Sequence, residues 1–550
     1  MAAFNLTKQS RTDGGTSHIL PLERKKATFN IEIMTNILDG GKEFTTKRRW
    51  IQNSHDDAFE DNDQEDRIGQ VEIHADLPRG QIVAQSMKHF MDVHWEHLER
   101  GYRPKGQDMT FMSGAKFGNT GPLSLHYGVF MSTMRSQTSA EQREWWVEAG
   151  MKLNFIGCYA QTELGHGSNV RGLQTTATFN PAPAGPNGDG EWIMNSPTLQ
   201  SAKWWSTGMY SATHAAVYAQ MILNNKPMGV HVFFVQLRGS DLKPLKGIDM
   251  GDIGPKLGDN DTPIGYLRMN QVSIPRRHLM EARSHVLSNG TYISGPPAPP
   301  VGSKAEAALK EKAARKNSST NTNGDMKKKT NGKAKSKGKN VSHYITMLKT
   351  RIGLTNTAGS AIAKACVIAA RYSAVRLQGF QVGSNGILNS PESQILDYQN
   401  QLFRILQWTS HAYAIKFVAR WLLKKRKDAE ANMKSGNDDA NKDLPEVHSS
   451  AAGLKALCCC MAADGIEDLR RACGGHGYMM SSGIAPLEAD FKGPNTTAEG
   501  DYVVLGKIKY SMYLGFKCFL NVSFYFFNKL TFCFVFFSFF FYLLQLLVLL

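Results

Sequence analysis

The chain has 550 residues, of which 42% are hydrophobic and 20% are charged, and its formal net charge is +16. This composition is sufficient for several folded domains and excludes a chain that is disordered throughout. Eight scattered cysteines are too few for a disulfide scaffold and lack the spacing of a zinc site, so we expect a reducing compartment and no bound metal.

The positive charge is concentrated in one segment of the chain. Residues 301–340 hold eleven lysines and Arg315 against three acidic residues, with almost no large apolar side chain. Such a segment cannot bury enough surface to fold, so we predict a disordered insertion. Because more than half of the net charge lies here, the remaining excess is mild, suits an anionic ligand and gives no reason to expect nucleic-acid binding.

The first third of the chain is predicted to be helical after a polar tail at residues 1–27. The N-terminal helical domain is expected over residues 28–156. Within it, Ser139 and Gln142 have capping-box spacing ahead of an apolar run, which predicts that a helix begins at Ser139.

Short β-prone runs separated by Gly, Pro and Asn predict a second domain at residues 157–278. The runs lie at residues 175–179, 191–195, 231–237 and 265–270. We expect an antiparallel, barrel-like β domain here. Residues 279–341 then form a connection that contains the Lys-rich insertion.

Helical periodicity returns at residues 342–506, which are predicted to form a helical bundle. Leu402, Leu406, Tyr413 and Phe417 fall on one narrow stripe at 100° per residue, so we expect these side chains to face the core. The predicted fold class is therefore α+β, with a β domain between two helical domains.

Residues 507–550 form an aberrant hydrophobic tail. Its last twenty residues, 531–550, carry no charge and are long enough to span a bilayer, so a membrane helix is one interpretation. Phenylalanine recurs twelve times after Tyr510, however. This bias favours the other interpretation, translation through an unspliced intron or past a wrongly placed splice site.

A glycine-rich turn precedes the predicted strand at residues 175–179. Residues 162–167 read Thr-Glu-Leu-Gly-His-Gly, in which the glycines let backbone approach a planar ligand and Thr162 offers a hydroxyl. Taken alone, such a segment is only a turn. His166 and Glu163 lack the spacing of a zinc-protease motif, so we interpret them as structural.

The longer string at residues 158–179 closely resembles the signature of the acyl-CoA oxidases, flavoproteins of the acyl-CoA dehydrogenase superfamily. The resemblance runs from Lys26 to about Leu505 and is interrupted by the Lys-rich insertion. It implies FAD-dependent oxidation of a fatty acyl-CoA to a trans-2-enoyl-CoA, with O₂ as acceptor and H₂O₂ as product. This reaction is the first step of peroxisomal β-oxidation. The resemblance also implies that Thr162 binds the flavin.

Residues 195–208 contain a second segment similar to the family, in which Lys203 is followed by two tryptophans. Two tryptophans in a β domain are usually core, but in the family this stretch lies against the isoalloxazine ring. Thr207 and Gly208 are therefore expected to bind the cofactor. The family has Gly where Thr207 stands, and related dehydrogenases place a Thr near the flavin. Thr207 therefore leaves a second function open, that of an acyl-CoA dehydrogenase that passes electrons to a partner protein.

The third segment, residues 472–478, reads Ala-Cys-Gly-Gly-His-Gly-Tyr. On sequence alone it is a tight interhelical turn or a backbone surface for a dinucleotide, and no preceding strand supports a Rossmann motif. The resemblance implies that Gly474 and Gly475 contact the adenosine-diphosphate half of FAD held mainly by a neighbouring subunit. Arg371 and Gln394 are expected to help across that interface, which implies a homodimer.

The fourth segment is the Glu-Gly-Asp sequence at residues 499–501. A lone carboxylate beside Gly is usually a surface turn, but here it matches the family element whose Glu is the catalytic base, so we assign that role to Glu499. A Glu with a burial-raised pKa can remove the weakly acidic α-proton of an acyl thioester. Tyr502 departs from the Asn that the family typically has.

The resemblance also sets expectations for the end of the chain. Family members continue with a second C-terminal helical domain and commonly end in a Ser-Lys-Leu-type peroxisomal tripeptide. We expect that domain to be missing here, and no such tripeptide is visible, so peroxisomal location is a family expectation. A truncated, inactive product is the remaining alternative. The expected partners are a fatty acyl-CoA, O₂ and a second copy of the chain, with membrane contact only if residues 531–550 are genuine.

Overall fold

A computed structural model describes residues 19–57, 77–99, 123, 125–185, 187–299, 302, 341–380, 392–435 and 440–506. Nearly all of the Lys-rich segment and the whole of residues 507–550 lie outside the described residues, so the interpretations of both stay predictions. The chain divides into two compact units. We call residues 51–66 and 76–350 the β unit, and residues 1–50, 67–75 and 351–550 the helical unit.

The described α-helices are named here in chain order. They are α1 (Ile19–Lys25), α2 (Ile31–Asp39), α3 (Lys42–Asp57), α4 (Arg79–Glu99), α5 (Met131–Gln137), α6 (Ala140–Met151), α7 (Val341–Val375), α8 (Gln399–Ser435), α9 (Ala440–Ala472) and α10 (Ile484–Thr497). A π-helical turn, His126–Phe130, leads directly into α5.

The predicted helix start at Ser139 is confirmed. The Ser139 hydroxyl accepts a hydrogen bond from the Gln142 backbone N–H at 3.3 Å, and the Gln142 side-chain oxygen accepts one from the Ser139 N–H at 3.0 Å. This capping box satisfies donors that the first turn of α6 leaves without a helical partner. The Gln142 amide also donates to the Leu279 carbonyl at 2.7 Å, so the cap ties α6 to the segment that follows β9.

The described strands carry their own numbers. They are β1 (Gly157–Ala160), β2 (Thr176–Asn180), β3 (Glu191–Asn195), β4 (Lys203–Thr207), β5 (His214–Leu223), β6 (Lys226–Gln236), β7 (Ile248–Asp252), β8 (Ile264–Met269), β9 (Val272–Pro275), β10 (Ser284–Val286), β11 (Tyr292–Ser294), β12 (Leu377–Phe380) and β13 (Glu392–Gln394). All four predicted runs are confirmed as strands, within a few residues at their ends.

The β unit contains two main sheets. One has the order β1-β5-β2-β3-β9 with β6 added to β5, and the other has the order β4-β8-β7. Most pairings are antiparallel as predicted, but β1 and β2 both run parallel to β5. Long segments of chain separate β1 and β2 from β5. Parallel neighbours require such long connections, because a short hairpin can join only antiparallel strands. Seven of the ten side chains of β5 are buried, on both faces of the sheet.

The helical unit is built around α7, α8, α9 and α10. The expectation that Leu406 and Phe417 face the core is wrong, since they are 36% and 42% exposed. The buried face of α8 instead carries Ile405, Ala412 and Ile415. Alanines on α7, α8 and α9 contribute much of this core, and such small side chains let helices pack closely.

One described helical segment, Met347–Val375 within α7, has the length and apolar composition that a membrane span needs. Half of its most apolar window is buried inside the protein. A core helix of a bundle has the same properties, and α7 supplies several of the buried residues in the helical unit.

Candidate active site

In the β unit, the glycine-rich turn at residues 162–167 is organised around a buried ion pair. Glu163 and Lys203 have fully buried side chains, and the Lys203 Nζ lies 3.1 Å from the Glu163 Oε1. Lys203 also donates to the Tyr218 carbonyl at 2.7 Å. The Glu163 carboxylate accepts further hydrogen bonds from the Thr175 hydroxyl at 2.6 Å and from His166 at 3.0 Å. The interpretation of Glu163 and His166 as structural residues agrees with these contacts.

The electrostatics of this pair follow from its burial. Burial alone would raise the pKa of Glu163, but Lys203 and the hydrogen bonds outweigh it, so the pKa lies below the ordinary value. Burial lowers the pKa of Lys203 to about 8, against the opposing effect of Glu163. Both groups are therefore charged near neutral pH, and they fix the turn to β4.

Thr162 lies at the edge of the same turn and is half-buried. Its carbonyl accepts a hydrogen bond from the Trp204 N–H at 2.9 Å, which joins the turn to β4. Within the described residues its hydroxyl has no protein partner. The next residue of β4, Trp205, has a φ of 65° and is 59% exposed, so it presents an aromatic surface beside the turn.

Thr207 and Gly208 lie at the end of β4. The Gly208 N–H donates to the Pro263 carbonyl at 2.7 Å, and its φ of 84° suits a glycine. Thr207 is paired with Ile264 in β8, but its side chain lies outside the described residues. The predicted role of Thr207 near a flavin therefore stays a prediction.

In the helical unit, Gly474 and Gly475 line a cleft of about 530 Å³. The cleft is lined by Tyr372, Arg376, Gln378, Ile395, Arg471, Ala472, Gly474, Gly475, His476 and Met479. Two guanidinium groups and no acidic side chain are among these described lining residues, which suits an anionic ligand. A Cβ at Gly475 would meet no atom within 4 Å, so its backbone faces open space.

The other two predicted residues are placed differently. Arg371 is exposed on α7 but is not among the residues that line the cleft. Gln394 lies next to the lining residue Ile395, and its amide donates to the Ala374 carbonyl at 2.7 Å. The sequence interpretation missed Arg376 and Arg471. Arg376 directly follows the last residue of α7, five positions after Arg371, and Arg471 directly precedes the glycine segment at residues 472–478.

Glu499 lies in a tight turn just after α10. The Ala498 N–H donates to the carbonyl of Pro494, which lies in the last turn of that helix. The chain then turns, with φ of 59° at Glu499 and 104° at Gly500. The Glu499 side chain is half-buried. In the described part of the chain, no protein group donates a hydrogen bond to its carboxylate.

Two buried cations face the Glu499 turn. The Arg351 Nε donates to the Glu499 carbonyl at 3.3 Å, and the Lys455 Nζ donates to the Gly500 carbonyl at 2.8 Å. Burial raises the pKa of the Glu499 carboxyl above its ordinary value, while Arg351 and Lys455 act in the opposite direction. The arrangement provides a carboxyl that none of the described side chains bonds and that holds a proton more tightly than an exposed one.

Three protein-family descriptions match consecutive parts of the chain. "Acyl-coenzyme A oxidase N-terminal" matches residues 30–156, "Acyl-CoA dehydrogenase, middle domain" matches residues 158–272, and "Acyl-CoA oxidase, C-alpha1 domain" matches residues 344–513. Together they cover most of the chain in the order that the oxidases have. The chain belongs to the acyl-CoA oxidase family. The family matches assign the β unit's sheets to the middle domain and α7 to α10 to the C-alpha1 domain.

Relatives in this family include the peroxisomal acyl-coenzyme A oxidase 1 of Rattus norvegicus, which is 35% identical to this chain over 487 residues. The enzyme of the same name from Arabidopsis thaliana is 34% identical over 497 residues. These alignments cover 88% and 89% of this chain but 64% of each relative. The chain therefore spans about two thirds of the length of the curated relatives that it matches.

Solved structures of acyl-CoA oxidases share the fold. Acyl-CoA oxidase 1 of Arabidopsis thaliana matches with a TM-score of 0.70 at 32% identity. The match covers 90% of this chain and 66% of the Arabidopsis chain. Acyl-CoA oxidase-2 of Caenorhabditis elegans, solved with FAD, ascaroside-CoA and ATP, has a TM-score of 0.72 at 29% identity and the same two coverages. These matches confirm the predicted order of helical, β and helical domains.

Proposed function

We propose that the chain is a flavin-dependent oxidase that forms a trans double bond between Cα and Cβ of a fatty acyl-CoA. The electrons pass to O₂ and give H₂O₂. The observation that carries the proposal is the Glu499 turn, in which a half-buried carboxyl with a raised pKa accepts no hydrogen bond from the described residues. A general base needs this combination, because a carboxylate already held in an ion pair is a weak proton acceptor.

In this reaction Glu499 removes the α-proton of the acyl thioester. Loss of that proton places negative charge on the thioester oxygen, which requires hydrogen-bond donors. The Glu499 backbone N–H has no protein acceptor within the described residues, so we assign it as one donor. Base and donor then belong to the same residue.

The described residues fit FAD as the cofactor. The open backbone of Gly474 and Gly475, with Arg376 and Arg471 beside it, suits a diphosphate. The Thr162 hydroxyl, which no described residue bonds, suits the polar edge of the ring system. When bound, FAD supplies the acceptor for the hydride that leaves Cβ. Gly208 is proposed to contact it as well, and Thr207 is proposed to influence its reaction with O₂.

We further propose that the working form is a homodimer in peroxisomes. The proposal rests on the names of the peroxisomal relatives and on the expectation that a second copy completes the flavin site. The exposed guanidinium of Arg371 is proposed to reach that copy, with Gln394 bracing the adjoining backbone.

The experiment uses the 550-residue chain, purified with FAD. We would record its visible spectrum and measure H₂O₂ release after addition of a long-chain acyl-CoA. Peroxide release by a flavin-containing protein, lost in Glu499→Gln while FAD stays bound, is the expected result. Flavin that bleaches without peroxide would favour the dehydrogenase and an effect of Thr207. A chain that folds but binds no FAD would contradict the proposal.

A further inference from the structure

The turn that carries Glu499 has an unfavourable backbone conformation. Glu499 has a φ of 59° and Gly500 has a φ of 104°, both in the left-handed region. Glycine adopts this region readily, but a glutamate does so only where the surrounding structure holds it. The groups that hold Glu499 therefore determine where its carboxylate lies.

Two cations from different helices hold this turn. Arg351 on α7 donates to the carbonyl of Glu499, and Lys455 on α9 donates to the carbonyls of Thr496 at 3.2 Å and Gly500 at 2.8 Å. The side chains are 2% and 0% exposed, so water cannot replace them. Each end of the Glu499–Gly500 pair is thus bonded to a charge that the fold fixes in place.

Both cations bond the backbone and leave the carboxylate unbonded. A buried lysine usually pairs with a carboxylate, because an isolated buried charge is costly. Lys203 and Glu163 in the β unit show that usual arrangement. At the Glu499 turn the positive charges lie beside the carboxylate, where they act through space on its ionisation but do not occupy its oxygens.

We propose that Arg351 and Lys455 are positioning residues that fix the Glu499 turn and whose charges favour its ionised carboxylate without forming an ion pair with it. The inference rests on the proposed function for the identity of the reaction. The geometry and the electrostatic effect belong to the folded chain itself.

The charged and titratable groups around the turn determine the sign of the expected effect. From α9, His448 faces Arg351 at 3.5 Å, and burial lowers the pKa of His448 to about 4, so it is neutral at working pH. Cys459 and Cys460 lie near Lys455, and burial raises the pKa of both thiols. Asp501 follows the turn, and its carboxylate accepts from the Val504 N–H. Removing Arg351 or Lys455 therefore removes cationic charge and raises the pKa of Glu499 further.

The decisive variant is Lys455→Met, which keeps volume and removes the charge. The matched control is Lys416→Met, which removes another lysine of the helical unit, one bonded to Asn356 and Ser360. A water-soluble carbodiimide labels protonated carboxyls, and peptide mass spectrometry gives the pH midpoint for Glu499 in each folded protein. We expect the midpoint to rise by about one pH unit in Lys455→Met and to stay unchanged in Lys416→Met. An unchanged midpoint in a folded Lys455→Met protein would overturn the proposal.

Arg351→Lys separates charge from geometry and covers the case in which Lys455→Met does not fold. It keeps a cation but not the planar guanidinium that reaches the Glu499 carbonyl. We expect an unchanged labelling midpoint and a fall in kcat of roughly tenfold to a hundredfold, because the base is displaced. Wild-type kcat in this variant would overturn the role of Arg351.

The labelling readout needs no turnover, so the two proposals can fail separately. If Lys455→Met shifts the labelling midpoint of Glu499 while the wild-type protein releases no peroxide, the positioning role is supported and the proposed oxidase is contradicted. If the wild-type protein releases peroxide but Lys455→Met leaves the midpoint unchanged, the oxidase is supported and the positioning role is contradicted.

Discussion

Glu163 in the β unit and Glu499 in the helical unit are both carboxylates beside a buried lysine, yet their contacts differ. The oxygens of Glu163 are bonded to Lys203, Thr175 and His166, and its pKa is lowered. The lysine near Glu499 bonds backbone carbonyls instead, and the pKa of Glu499 is raised by burial.

The difference shows what separates a structural carboxylate from a reactive one. Both residues stand in glycine-containing segments, so residue type and neighbours do not distinguish them. What distinguishes them is whether the fold supplies donors to the carboxylate. A fully bonded carboxylate stabilises a turn, whereas an unbonded one with a raised pKa is suited to take a proton.

The largest expected effect comes from removing the proposed base. Glu499→Gln should lower peroxide formation by roughly 10²–10⁴-fold, the usual contribution of a general base, while FAD stays bound. Glu488→Gln on α10 is the matched control, since Glu488 pairs with Lys492 on the helix surface. Equal activities of the two variants would remove the distinction between Glu499 and an ordinary glutamate.

Breaking the ion pair of the β unit should cost stability. Lys203→Met leaves the Glu163 carboxylate buried without its cation, so we expect a loss of about 3–5 kcal/mol in the free energy of unfolding, measured by urea denaturation. The double variant with Glu163→Gln should recover part of that loss. If Lys203→Met were no less stable than the wild type, Glu163 would not be held by this pair.

Substitutions at two glycines of the helical unit test stability and FAD binding separately. A Cβ at Gly477 would collide with the Arg470 carbonyl oxygen, so Gly477→Ala should destabilise the protein by about 1–3 kcal/mol. Gly475→Ala should change stability by about 0.5 kcal/mol or less but weaken FAD binding, because the added methyl enters the cleft. Thermal unfolding and flavin fluorescence measure the two effects. Unchanged FAD affinity in Gly475→Ala would remove the cleft from the proposed site.

The smallest effect is a difference in how stability depends on pH. The lowered pKa of Glu163 contributes stability above its unfolded pKa, and this is lost as pH falls through the folded pKa. The raised pKa of Glu499 contributes stability below its unfolded pKa, and this is lost as pH rises through the folded pKa. Glu163→Gln should therefore destabilise most at neutral pH, whereas Glu499→Gln should be relatively more stable there than at low pH. Parallel pH profiles for the two variants would contradict the comparison.

Sequence reasoning predicted the alternating strands but missed the central one. The strand β5 is an almost continuous apolar run, because it is covered on both faces, and periodicity cannot distinguish such a run from a buried helix. On α8 the stripe of large side chains was assigned to the core, whereas the buried face carries small residues that allow close helix packing. Capping residues were predictable because their contacts are local.

The site was predictable only where the family resemblance reached it. Glu499 and the glycines at 474 and 475 were singled out from their motifs. Arg351 was not, because its contact with Glu499 joins residues 148 positions apart, and nothing near Arg351 in sequence indicates it. Lys455 likewise contacts Gly500 across 45 positions. Such contacts depend on how α7 and α9 pack, which the sequence pattern does not specify.

The most direct test of the central claim isolates proton removal from oxidation. An acyl-CoA analogue with sulfur in place of Cβ cannot lose a hydride there, so exchange of its α-hydrogens in D₂O reports the base alone. We expect the flavin-loaded chain to catalyse this exchange, and we expect Glu499→Gln with FAD still bound not to catalyse it. Exchange at the wild-type rate in Glu499→Gln would show that another group removes the proton.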